Sequence, residues 1–168
     1  METLAKGNAA EAAVLNALVS RGHQVLVPFG GGHPYDLVVD LSPGFLRVQC
    51  KAARPGKGVL KFNACSTDHG RGRQQYLGLA ELFGIYFPPT GSVYLVPVYE
   101  MPDYVASLRL EPTLNNQRKG IRLASDYEID RWTRGDLREV LLGPDSVGVR
   151  HLDRGPLTEV GEPTTALG

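Results

Sequence analysis

No stretch of the chain approaches the run of about 18 apolar residues that a membrane-spanning helix needs. The N-terminal stretch METLAKGNAAEAA contains no apolar core, so no signal peptide is expected. Cysteine is scarce, with only Cys50 and Cys65 present. Their spacing gives neither a zinc motif nor a disulfide framework, and a reducing, cytoplasmic compartment is expected. Net charge is lacking too, because 18 basic residues balance 18 acidic ones. That balance argues against a generally polycationic binder. No internal repeat or long low-complexity tract is present.

The 168 residues present are enough for one domain. A chain of this size buries roughly 68–70% of its unfolded surface, so it needs no metal or disulfide to close a core. The charge is unevenly placed. Residues 47–99 carry Arg47, Lys51, Arg54, Lys57, Lys61, Arg71 and Arg73 against Asp68 and Glu81 alone. A neutral chain with a basic middle can still bind a polyanion.

Alanine and leucine dominate residues 3–21, which predicts a helix stopped by Gly22. HQVLV (23–27), YDLVVDL (35–41) and FLRVQCKAA (45–53) read as strands, and VLKFNAC (59–65) as a further member of that group. STDHGRGRQQ (66–75) reads as a polar loop and YLGLAELF (76–83) as a short helix. LFGIYFPPTGSVYLVPV reads as a hairpin turning at PPTGS. LRL (108–110) reads as a short strand, and residues 126–142 as a helix weakened by Gly135. Residues 1–142 then form an α/β (α+β) domain around a mixed sheet, and 143–168 a flexible C-terminal extension.

Side chains alternate across a strand with period two. Asp36, Val38 and Asp40 therefore share one face, and Arg47, Gln49 and Lys51 share one face of the next strand. A two-residue Pro43-Gly44 loop puts Asp36 opposite Lys51, with Gln49 diagonal to it. A register shifted by two puts Asp36 opposite Gln49 and keeps the three together. In the first helix Glu11 falls among Leu4, Val14, Leu15 and Leu18, on the stripe that should face the core. A carboxylate there needs a compensating cation. Two carboxylates and an amide oxygen suit a hard divalent cation such as Mg²⁺. A neighbouring lysine can stabilise charge on a phosphate. The combination points to metal-assisted phosphodiester hydrolysis.

Asp36, the hairpin and Gln49-Cys50-Lys51 resemble the D…(D/E)XK signature of PD-(D/E)XK nucleases. GNAAEAAVLNALVSRG resembles the helix that carries an accessory glutamate in Holliday-junction resolvases and in homing endonucleases of that superfamily. With LFGIYFPPTGSVYLVPV and LRLEPTLNNQRKGIRLASDYEI, the likeness is to the endonucleases associated with group I introns, over residues 3–130. It implies an αβββαβ core, Mg²⁺ (with Mn²⁺ able to substitute), cleavage of double-stranded DNA, and a homo-oligomer, dimer or tetramer. Carried over by position, Glu11, Asp36 and Gln49 are the expected metal ligands, and Lys51 is the catalytic lysine. Two departures stand out. Tyr35 separates Pro34 from Asp36, and Gln49 replaces an acid. Expected phosphate contacts are Arg54, Lys57, Lys61, Arg71, Arg73, Arg118, Lys119 and Arg122, with Asn115, Asn116 and Gln117 near base edges. Cys50 and Trp132 read as packing residues, and Tyr94, Val96 and Val98 as one strand face in the core or at a subunit interface. A junction resolvase and a DNA-binding protein without catalysis are the competing readings.

Overall fold

The computed structural model describes residues 3–68, 72–114 and 119–143. The expected C-terminal tail lies outside the described residues from 144 onward. The first helix, α1, spans Thr3–Ser20. It ends at Gly22, whose φ of 81° is the left-handed conformation that glycine adopts freely. Gly22 N–H donates to Val19 O and His23 N–H to Leu18 O, a Schellman closure that satisfies two terminal carbonyls. Its buried face is Ala10, Val14, Ala17 and Leu18. Leu4, expected on that face, is 73% exposed. Residues Thr3–Ala9 are all exposed, so the helix starts beyond the sheet and engages it only from Ala10.

Five strands form the central sheet. They are β1 (Gln24–Leu26), β2 (Leu37–Asp40), β3 (Phe45–Ala52), Leu82–Phe87 and Ser92–Pro97, in that spatial order. The first three pair antiparallel, Leu82–Phe87 lies parallel to β3, and Ser92–Pro97 returns antiparallel. The turn between β2 and β3 differs from the two-residue loop expected. It spans four residues, with Asp40 opposite Phe45 and Leu41 N–H donating to Gly44 O. Ser42 takes φ 37°, and Gly44 takes φ 97°.

Two further strands leave β3 almost at once. Residues Arg54–Gly56 (β4) and Val59–Asn63 (β5) pair with each other. Here β5, expected beside β2 and β3, builds a second sheet instead. The place beside β3 goes to LFGIYF, whose nearly continuous apolar run suits a strand buried on both faces. The loop expected over 66–75 is replaced by strand at 66–68 and 72–75. Cys65–Asp68 (β6) and Gly72–Gln75 (β7) pair as a two-stranded ribbon. The short helix expected over 76–83 is a turn around Gly78, with Leu79 and Ala80 N–H groups donating to Tyr76 O. Leu82 already belongs to the sheet strand Leu82–Phe87, which is β8, and Ser92–Pro97 is β9. The hairpin at PPTGS is as read. Val105–Arg109 (β10) completes the small sheet in the order β10-β5-β4.

The helix expected over 126–142 begins only at Arg134. This α2, Arg134–Leu142, is capped by Thr133, whose Oγ1 accepts from Asp136 N–H while Asp136 accepts from Thr133 N–H. Gly135 falls in its first turn, where a poor helix former matters little.

The result is three layers. Helix α1 and α2 cover one sheet face through Leu37, Val39, Leu46, Val48, Cys50, Leu82 and Leu95. Trp132 packs there as a core residue. The small sheet covers the other face, placing Leu60, Phe62, Ala106 and Leu108 against Phe83, Ile85, Tyr94 and Val96. Glu81 accepts from Arg47 N–H at 2.6 Å and pairs with its guanidinium, tying β3 to the start of β8.

Candidate active site

The strand β2 is short, and its pairing with β3 continues one residue upstream of Leu37. Asp36 N–H donates to Val48 O at 2.9 Å. The register observed over Leu37–Asp40, with Leu37 opposite Val48, brings Asp36 level with Gln49 if carried one residue further, and Lys51 lies two residues on, on the same face of β3 as Gln49. The expected Asp36–Lys51 opposition is replaced by the alternative register, and the shared face survives.

Asp36 Oδ2 accepts from Gln49 Nε2 at 2.6 Å and from the Cys50 backbone N–H at 2.7 Å. Gln49 is 8% exposed, the only buried polar side chain among the described residues. Its Nε2 also donates to Cys50 O at 3.2 Å. An acid at position 49 would set a second carboxylate against Asp36, whereas the amide donates to it. Burial pushes the Asp36 carboxyl above its usual value, opposed by the Cys50 backbone bond and the Lys51 charge.

Glu11 is half-buried where α1 meets the sheet end. Burial and then the Asp36 charge raise its carboxyl. The Cys50 thiol, buried behind the pair, is pushed well up by burial and then by Asp36 and Glu11. Burial is the first cause in all three groups, and Glu11 and Cys50 also feel neighbouring carboxylate charge, which a bound cation would relieve. Among the described residues no cluster of three or more His, Cys, Asp or Glu side chains could hold a metal. Two carboxylates and one amide are what the site offers. Mg²⁺ is commonly held by one or two carboxylates with water and phosphate completing the shell, so the donor set fits.

Lys51 is half-buried, and its Nζ donates to Tyr76 Oη at 2.9 Å while standing 4.6 Å from that ring's centroid. Tyr76 is 5% exposed and packs edge-on against Phe83 at 5.6 Å. Sequence reasoning missed Tyr76. Only its position at the end of a polar stretch singles it out, and the contact with Lys51 is tertiary. Arg47 shares the face of Gln49 and Lys51 but is taken up by Glu81.

Arg54, Lys57 and Lys61 are exposed on and between β4 and β5. Arg54 stands directly opposite Lys61. Arg73 is exposed on β7, its guanidinium 5.1 Å from the Tyr104 ring centroid. Lys119 and Arg122 are exposed, and Arg122 O accepts from Arg109 N–H at 2.8 Å, which lays that segment beside β10. Arg71, Arg118, Asn115, Asn116 and Gln117 lie outside the described residues. His33 is exposed and bonds Phe29 O at 3.1 Å. A cleft of about 340 Å³ between Arg21, His23, Trp132 and Arg134 shares no residue with the candidate site.

Residues 1–130 match the family model described as PD-(D/E)XK endonuclease. No curated protein matches the chain. Among solved structures the chain is similar to a bacterial homing endonuclease, I-Ssp6803I, at 26% identity and a TM-score of 0.60. That likeness covers 76% of this chain and 89% of the other.

Proposed function

The chain belongs to the PD-(D/E)XK endonuclease family, and on that premise we propose that it is a divalent-metal-dependent, sequence-specific endonuclease of double-stranded DNA, of the intron-associated homing type. The observation that carries the reading is Asp36 held by Gln49 and the Cys50 backbone, with Glu11 close enough to feel the Asp36 charge and Lys51 two residues beyond Gln49 on β3. Glu11 and Asp36 would hold Mg²⁺, or Mn²⁺ in its place, with Gln49 Oε1 as a neutral donor. When bound, the metal supplies Lewis acidity toward a phosphate oxygen and lowers the pKa of a bound water.

The chain's own groups do the rest. Gln49 and the Cys50 N–H fix one oxygen of Asp36, which leaves Oδ1 for a cation. Lys51 presents an ammonium to charge developing on the scissile phosphate. Tyr76 holds that ammonium in place from behind. Arg54, Lys57, Lys61, Lys119 and Arg122 are the described cations for backbone phosphates, with Arg73 a further DNA contact on β7 and Arg71 and Arg118 as expected companions. A homodimer or tetramer suits a symmetric or nearly symmetric target. The workplace is the cytoplasm, at the nucleoid when DNA is bound. No helix among the described residues is long and apolar enough to cross a membrane.

One observation favours a second reading. The Gln49 amide donates to Asp36 and brings no negative charge to the site, so a DNA-binding protein without cleavage would keep the same geometry. Fragmented source-genome DNA incubated in Mg²⁺, with the new ends sequenced, separates the two. Recurrent ends absent with Lys51→Ala support sequence-specific cleavage. No new ends would remove it.

A further inference from the structure

The small sheet has an outer face that the core does not use. Strand alternation turns Leu60 and Phe62 of β5 and Ala106 and Leu108 of β10 inward. Lys61 and Asn63, and with them Val105, Ser107 and Arg109, turn outward and are exposed. The register aligns Arg54, Lys61 and Ser107 in one row, and Gly56, Val59 and Arg109 in the next. The outer face of these strands thus carries Arg54, Lys61 and Arg109 and no carboxylate. None of the three cations forms an ion pair among the described residues. Directly opposed like charges, such as Arg54 and Lys61, destabilise a sheet. A polyanion laid across them reverses that sign.

The ribbon β6–β7 grows from the same sheet. Chain direction carries β5 through Ala64 into β6, and Ala64 N–H donates to Tyr104 O beside the start of β10. Gly72, Arg73, Gln74 and Gln75 are all exposed. A bare two-stranded ribbon is marginally stable in water, yet it has the width that enters a B-DNA major groove. Arginine pairs in bidentate fashion with guanine, and glutamine with adenine. Cross-strand register puts Gln74 opposite Ser66 on one face, and Arg73 and Gln75 on the other. Directly after Gln75 comes Tyr76, which holds Lys51, so an occupied ribbon sets the groove next to the site.

We propose that the outer face of the small sheet and the ribbon form one duplex-DNA docking surface. The sheet face grips the phosphate backbone through Arg54, Lys61 and Arg109, and the ribbon reads base edges through Arg73 and Gln75, which share one face. The inference takes its ligand from the nuclease reading above and does not require cleavage. An RNA duplex is a poorer fit, because its major groove is too deep and narrow for a ribbon to read.

The test is selection of a randomised duplex DNA library by the full-length chain, with Ca²⁺ in place of Mg²⁺, alongside the same library as duplex RNA. The wild type enriches a DNA motif. Gln75→Ala and Arg73→Ala each lose preference at one or two positions of it and bind the selected site about 5- to 100-fold more weakly. Lys61→Ala and Arg109→Ala weaken selected and random duplexes alike. Each lowers the slope of log K against log salt by about one. Thermal melting of each variant checks that these exposed substitutions leave the fold intact. An unchanged motif after joint substitution of Arg73 and Gln75 overturns the ribbon assignment. An unchanged salt slope in the Lys61→Ala/Arg109→Ala double variant overturns the sheet-face assignment. No motif at all, or preferential enrichment of RNA, overturns the whole. A motif bound but not cut in Mg²⁺ sinks the endonuclease reading and leaves the docking surface standing.

Discussion

Lys51 and Tyr76 meet across 25 residues of chain, and what each does for the other can be separated by one oxygen. Tyr76→Phe keeps the ring against Phe83 and removes the acceptor for Lys51 Nζ. A hydrogen bond to a charged group contributes about 1.5–3 kcal/mol, so kcat is expected to fall roughly 10- to 100-fold. The KM for DNA and the melting temperature should hold. Single-turnover cleavage beside a DNA titration checks it, and equal kcat in the variant would show that Tyr76 only packs. Glu11 gives a second prediction. Its carboxyl is raised in the folded state by burial and by Asp36. A raised carboxyl binds more protons folded than unfolded, so its contribution to stability falls as pH rises. Glu11→Gln should therefore leave the metal-free protein equally or more stable at neutral pH. The difference should shrink as pH falls through the ordinary carboxylate range. Melting curves from pH 4 to 8 in chelator check it, and a clear loss of stability at neutral pH would make Glu11 a structural partner. At this scale the sequence was readable where period-two alternation decides, which is why Asp36, Gln49 and Lys51 were placed on one face. The register was not readable, because Ser-Pro-Gly is compatible with both a two-residue and a four-residue turn. Nothing local reports Tyr76.

At the scale of elements, one close approach positions the site. A Cβ added to Gly84 of β8 would lie 2.6 Å from Val14 Cγ1 of α1. Neither a branched valine nor the strand backbone can give way cheaply. Gly84→Ala is expected to cost about 1–3 kcal/mol by overpacking and to push α1, with Glu11, off the sheet end. Denaturant unfolding should show a lower midpoint with an unchanged slope, and Mg²⁺-dependent stabilisation should weaken with it. Full stability would mean that the α1–β8 contact is looser than drawn. Helix α1 and the β8–β9 hairpin were legible because each is governed by local signals, alanine content with a glycine stop and a PPTGS turn. The start of α2 was also written locally, in Thr133 and Asp136, but the run DYEIDRW upstream imitates helical spacing. The second sheet was not legible. Whether VLKFN joins β3 or stands apart depends on which strand competes for the β3 edge, and LFGIYF wins by being apolar on both faces.

For the whole molecule, three layers put the helices, Glu11 among their residues, on one side of the sheet and the small sheet, with the Gln49–Lys51 face of β3, on the other. The uneven charge in the sequence foreshadowed this, since the basic stretch after Lys51 became the exposed cations of β4 and β5. The central claim is that Asp36 and Lys51 perform metal-dependent hydrolysis on DNA that other residues bind. The most direct measurement puts purified wild type, Asp36→Ala and Lys51→Ala side by side on the same DNA, scoring Mg²⁺-dependent cleavage and equilibrium binding together. A nuclease built as described loses cleavage by at least about 100-fold in both variants, the equivalent of some 2.7 kcal/mol in the barrier, while binding stays within a few-fold. Equal cleavage by either variant, or loss of binding in step with cleavage, would contradict it.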